Sequence, residues 1–81
     1  MAQGIKLLAD KIRTLREQHG ITQSELSRRL GLTRSSINGW EMGLSVPSPQ
    51  YIVELAKQFS VSTDYLLGVK QGAVLNIDDL T

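Results

Sequence analysis

Arg34, Ser35 and Asn38 are side chains that recognise by hydrogen bonding: a guanidinium fork, a hydroxyl and a carboxamide. Asn38 follows the other two by four and three residues, so on a helix all three share a face. Their chemistry suits a surface dense in acceptors, such as the phosphates and base edges of double-stranded DNA. Bond-making chemistry is not expected. The chain shows no acid pair, nucleophile and base set, phosphate-cradling glycine loop or metal cluster, and so it is read as no enzyme, with no cofactor and no metal. His19 has no second His and no Cys to work with, which makes it a poor ligand or acid–base group.

The stretch Thr22–Gly43 has to position those side chains, and it reads as two short helices joined by a tight turn. Thr22 followed by Glu25 is a capping box, so the first of the two starts near Gln23. Leu26 and Leu30 share its inner face, Gly31 closes it in the left-handed conformation, and Leu32 is expected buried in the turn. Thr33 caps the next helix. Periodicity then puts Ile37, Trp40, Glu41 and Leu44 on one side and Arg34, Ser35, Asn38, Gly39 and Met42 on the other. This is helix-turn-helix geometry, in which the second helix lies in the major groove of DNA. A polar helix face is ordinarily a solvated one, but solvation alone selects Glu, Lys and Gln. Ser35, Ser36, Asn38 and Gly39 are poorer helix formers, and Gly39 costs roughly 1 kcal/mol against Ala. Small residues therefore point to close approach by another surface, and an arginine near the exposed N-terminus of a short helix fits DNA.

Eighty-one residues make one small domain, and 41% hydrophobic residues are enough to pack it. Few are aromatic, which favours compact helices. With no cysteine there is neither a disulfide framework nor a thiolate site. The N-terminal residues lack the apolar core of a signal peptide and no run reaches membrane-span length, so a cytoplasmic protein without membrane attachment is expected. The net charge of +1 is uninformative, but its distribution is not. Residues 1–45 carry +3 and residues 46–81 carry −2, so the basic half is the half with the paired helices.

The remaining helices are expected at Lys6–His19, with Leu8, Ile12 and Leu15 inward and Gly20 as its cap, at Pro49 to about Phe59, and at Thr63–Leu67. Ser48 is the expected N-cap of the fourth helix, whose core stripe is Ile52, Leu55, Ala56 and Phe59. Ser62 and Gly68 bound the fifth, with Tyr65 and Leu66 closing the bottom of the core. Arg16 borders the apolar stripe of the first helix and Glu41 is the one acid on the inner face of the third, which predicts a structural Arg16–Glu41 ion pair. Residues 1–68 thus form the domain. In the tail, residues 69–81, Val74–Ile77 reads equally as a dimerisation segment or as part of a linker.

From about Ile12 to Gly68 the chain resembles the Cro/CI-type (XRE) helix-turn-helix family of phage repressors and bacterial transcriptional regulators. The stretches that carry the resemblance are LREQHGITQSELSRRLGL, SSINGWEMG and VPSPQYIVELAKQFSVSTDYLLG, in the family's order and spacing. It implies an all-α, five-helix, lambda-repressor-like DNA-binding domain with the helix-turn-helix at the second and third helices. It also implies roles: Gln23 as a phosphate contact that props the recognition helix, and Thr33, Arg34 and Ser35 as contacts to bases or flanking phosphates. Arg34 is the best base reader, through the O6 and N7 acceptors of guanine. Asn38 reads adenine or binds phosphate, Ser36 meets a phosphate, Trp40 is a packing residue, and Arg16 with Glu41 matches a structural ion pair of the family. Two departures stand out: Gly39 where relatives carry a longer polar side chain, and a loop Met42–Val46 without Lys or Arg. Both imply modest affinity and reliance on two-fold symmetry.

The function these readings point to is sequence-specific transcriptional regulation, as a repressor, by a homodimer on a pseudo-palindromic operator. The alternative is a protein-interaction module of antitoxin or anti-regulator type, using the same scaffold and a protein partner held by the C-terminal tail.

Overall fold

The computed structural model describes the backbone of residues 2–68 and the side chains of residues 6–68. The segment Val74–Ile77 and the rest of the tail lie outside these residues. The described chain is all α: α1 (Ala2–Gln18), α2 (Gln23–Leu30), α3 (Arg34–Glu41), α4 (Pro49–Phe59) and α5 (Thr63–Leu67). α1 begins at Ala2 rather than Lys6, because one glycine, Gly4, costs too little to break a helix of this length.

The caps set the boundaries. Thr22 Oγ1 accepts from the Glu25 N–H at 3.0 Å and starts α2; Gly31, at φ 71°, ends it in the left-handed region. The other half of the expected capping box does not form. The Glu25 carboxylate turns instead to the guanidinium groups of Arg28 and Arg29, one turn ahead, where charge-assisted bonds outcompete a single backbone N–H. Thr33 caps α3 and Ser62 caps α5 through their hydroxyls. Ser48 has the extended backbone of an N-cap but makes no side-chain cap bond, so α4 starts on the preset φ of Pro49 alone. Ser60 closes α4 at φ 56°, a left-handed position without glycine.

All five helices contribute to one core. Leu8, Ile12 and Leu15 of α1, Leu26 of α2, Ile37 and Trp40 of α3, Ile52, Leu55 and Phe59 of α4 and Leu66 of α5 are buried against one another. α1 touches α3, α4 and α5. Leu32 is half-buried at the edge of this cluster. Leu44, expected on the inner face of α3, is 79% exposed. The helix has ended at Glu41 and Gly43 turns the chain at φ 74°, so the 3.6-residue period no longer applies there. Tyr65 also departs from expectation. It stands half-exposed while Lys11 Nζ donates to its carbonyl at 2.7 Å and sits 4.6 Å from its ring centroid, tying α1 to α5 by a cation at a helix C-terminus.

The Glu25 cluster makes the fold acid-sensitive in a definite direction. Its hydrogen bonds from Arg29 and Arg28 hold the Glu25 carboxyl below its ordinary value of 4.5. A carboxylate with a depressed folded-state pKa stabilises the fold above its unfolded value, and that contribution is lost as pH falls through the folded one. Glu25→Gln is therefore expected to flatten the fall of stability in the range below 4.5, measured by urea unfolding across pH. The difference from the parent chain should shrink at high salt because the cluster is exposed; an unchanged acid limb would show that these ion pairs persist no better in the fold than in the unfolded chain.

Candidate nucleic-acid interface

α3 is anchored by Ile37 and Trp40, with Ile37 fully buried and the Trp40 ring 5.7 Å from that of Tyr51. That anchoring fixes which face turns outward. Arg34, Ser35 and Asn38 are exposed together on it, with Thr33 exposed at its start. Ser36 is half-buried at the side of the face, its hydroxyl 3.2 Å from that of Thr33. The arginines divide sharply: Arg13 pairs with Asp10, Arg16 with Glu41, and Arg28 and Arg29 with Glu25, whereas Arg34 has no partner among the described residues. Its guanidinium is the one left to recognise something outside the domain.

Behind this face lies a polar network that starts in the interior. Arg16 Nε donates to Glu41 Oε2 at 2.6 Å and Arg16 Nη2 to Glu41 Oε1 at 3.1 Å, while Arg16 Nη1 holds the carbonyl of Ile21 at 2.9 Å. The Glu41 side chain is 3% exposed. The hydrogen bond to Glu41 raises the Arg16 pKa further against the opposing effect of burial, so the arginine stays charged. Gln23, at the first position of α2, adds a donor to the same carboxylate, Nε2 to Oε1 at 3.0 Å, and reaches Asn38 Oδ1 at 3.3 Å. The ion pair thus bolts α1 to α3, and Gln23 links both to the outward face. The sequence held a signal for this second link: a buried carboxylate with four lone-pair sites needs more donors than one arginine supplies.

Gly39 is half-buried, and what approaches it closely is the chain itself. A Cβ there would lie 3.0 Å from Ser45 Oγ, and the Gly39 carbonyl accepts from the N–H groups of Leu44 and Ser45 at 2.9 and 3.3 Å. Ser45 is exposed, so its hydroxyl can rotate away. Gly39→Ala is therefore expected to stabilise the fold by up to about 1 kcal/mol, or roughly 4–8 °C in melting temperature. Thermal unfolding followed by circular dichroism checks this, and a lower melting temperature would mean that the Ser45 contact does not relax.

His19 Nδ1 lies 2.9 Å from the Leu15 carbonyl and its ring packs 5.2 Å from that of Phe59, which uses the imidazole in packing. Among the described residues no three His, Cys, Asp or Glu come together as a metal site, and no helix is long and apolar enough to cross a membrane.

The model of the helix-turn-helix family matches residues 12–66, from within α1 into α5. The chain belongs to the Cro/CI-type helix-turn-helix family. Within it, YobD of Bacillus subtilis, an uncharacterized HTH-type transcriptional regulator, is 33% identical over 63 residues, which cover 78% of this chain and 56% of that protein. The antitoxin PezA of Streptococcus pneumoniae is 32% identical over 62 residues, 76% of this chain and 39% of PezA. Among solved structures, the P22 c2 repressor in complex with a synthetic operator superposes with a TM-score of 0.73 at 28% identity, covering 78% of this chain and 96% of that one. The chain spans about half the length, or less, of the curated relatives it matches.

Proposed function

We propose that the chain acts as a sequence-specific DNA-binding transcriptional regulator, a repressor, that lays α3 in the major groove of a pseudo-palindromic operator as a homodimer. The observation that carries this reading is Arg34: an unpaired guanidinium on the exposed face of a rigidly packed recognition helix. The likeness to a repressor seated on its operator supports it.

Roles follow from what each group has left to offer. Arg34 reads guanine through O6 and N7. Ser35, beside it, meets a base edge or a flanking phosphate. The hydroxyls of Thr33 and Ser36 share one hydrogen bond, which leaves one hydroxyl proton for a phosphate. The Gln23 carboxamide has both N–H groups engaged by Glu41 and Asn38, so its phosphate contact passes to its backbone N–H at the start of α2. Gly39 brings no side chain to the groove and contributes no base contact of its own.

A single domain of this size gives too little contact for tight specific binding, which is why pairing is part of the proposal. The apolar groove between residues 46–48, α4 and α5 suits a second copy, with Val46, Val53 and Leu67 each 43–53% exposed along it. The test is selection of bound sequences from a random duplex pool. An inverted repeat with half-sites about one helical turn apart is expected; binding without any recovered motif, vanishing as salt rises, would sink the proposal.

The antitoxin relative and the exposed loop Met42–Val46, which has no cation for phosphate, favour a second reading in which the scaffold binds a protein. Arg34 variants would then keep partner binding, with DNA binding absent throughout.

A further inference from the structure

Asn38 sits at the outer end of a chain of hydrogen bonds whose direction is fixed at its inner end. A buried carboxylate only accepts, and Glu41 is buried beside a charged arginine, so Gln23 must turn its NH2 toward Glu41. That settles which end of the Gln23 amide is which. Of the two Gln23 protons, one goes to Glu41 Oε1 and the other to Asn38, which must therefore present its oxygen inward, as the 3.3 Å contact to Oδ1 requires. The NH2 of Asn38 is left on the exposed face with no partner among the described residues.

We infer that Gln23, oriented by the Glu41 charge, holds Asn38 facing the groove as a hydrogen-bond donor, so that Asn38 selects a base-edge acceptor and disfavours an amino group. The inference rests on the DNA-binding reading above and sharpens it. Guanine offers N7 and O6, adenine N7 and thymine O4 as acceptors, whereas cytosine presents only its N4 amino group. Adenine N7 also accepts from that donor, and the second lone pair of Asn38 Oδ1 leaves the two-bond pairing with adenine open. Gln23 is on this view a positioning residue, and Asn38 is the group that touches the base.

Two measurements test it. The first uses no DNA: in side-chain amide NMR spectra the Gln23 protons are expected to exchange with solvent more slowly than those of Asn38, and Gln23→Met is expected to shift the Asn38 amide signals. The second compares all four bases at each position of the selected operator. The parent chain is expected to disfavour cytosine at one position inside the Arg34 contact by roughly five- to tenfold against the other three bases. Asn38→Ala and Gln23→Met should both flatten that position and leave the Arg34 position intact. A preference for cytosine there, or a Gln23→Met variant that loses affinity equally for all four bases, would overturn the inference while the operator itself stands. Recovery of no operator would overturn this inference together with the reading beneath it, and equal exchange of the Gln23 and Asn38 amides would overturn it in the free protein.

Discussion

Replacing Glu41 by alanine is expected to destabilise the fold by about 3–5 kcal/mol, the range seen when one partner of a buried ion pair is removed. Arg16 is 13% exposed at its side chain and already spends one N–H on the Ile21 carbonyl. Without Glu41 it keeps its charge at the margin of the core, and two donors lose their acceptor along with the Gln23 amide. Small domains have only about 5–15 kcal/mol of stability in total, so Glu41→Ala should leave the chain close to its unfolding midpoint at modest urea. Replacing both partners, as Arg16→Met with Glu41→Leu, should recover much of the loss, since an apolar pair of similar volume carries no desolvation cost. The check is urea unfolding of the single and double variants. A loss below about 1 kcal/mol for Glu41→Ala would place the pair among ordinary surface bridges and remove it as the bolt between α1 and α3.

Arg34→Ala carries the largest expected effect on binding. Loss of a guanidinium that reads guanine should weaken the selected operator by about 1–3 kcal/mol, or roughly 5- to 150-fold, and relax the preference at one base position per half-site. On scrambled duplex the loss should be smaller, limited to one fewer cation near the phosphates and a salt slope reduced by about 1. Stability should barely move, because Arg34 is exposed and its side chain makes no hydrogen bond or ion pair within the described residues. Parallel titrations on operator and scrambled duplex across salt separate the two contributions. Equal losses on both would remove Arg34 as a base reader and leave it a phosphate contact.

Much of this arrangement was legible in the residues because it is written locally. Thr22, Thr33 and Ser62 announce helix starts through hydroxyls that reach a backbone N–H three residues on, and Gly20, Gly31 and Gly68 announce ends through their left-handed backbone. Ile37 and Trp40 follow the helical period, and so did the face opposite them. What failed was extrapolation past an element's end: Leu44 obeys the period of a helix that has already stopped. Competition between neighbours was the other blind spot. Glu25 satisfies the spacing of a capping box, yet Arg28 and Arg29 stand closer in charge and draw it away. The Gln23 to Asn38 contact spans fifteen residues and two helices, and no local rule reveals it. It follows only once α2 and α3 are set side by side over the Arg16–Glu41 pair.

The measurement that bears most directly on α3 as a major-groove reader is methylation interference on the selected operator. Methyl groups at guanine N7 project into the major groove, and those at adenine N3 into the minor groove. Methylation of one guanine in each half-site is expected to block binding, and Arg34→Ala is expected to abolish that block at the same guanine. Interference confined to adenine N3, or at no position at all, would contradict a recognition helix seated in the major groove.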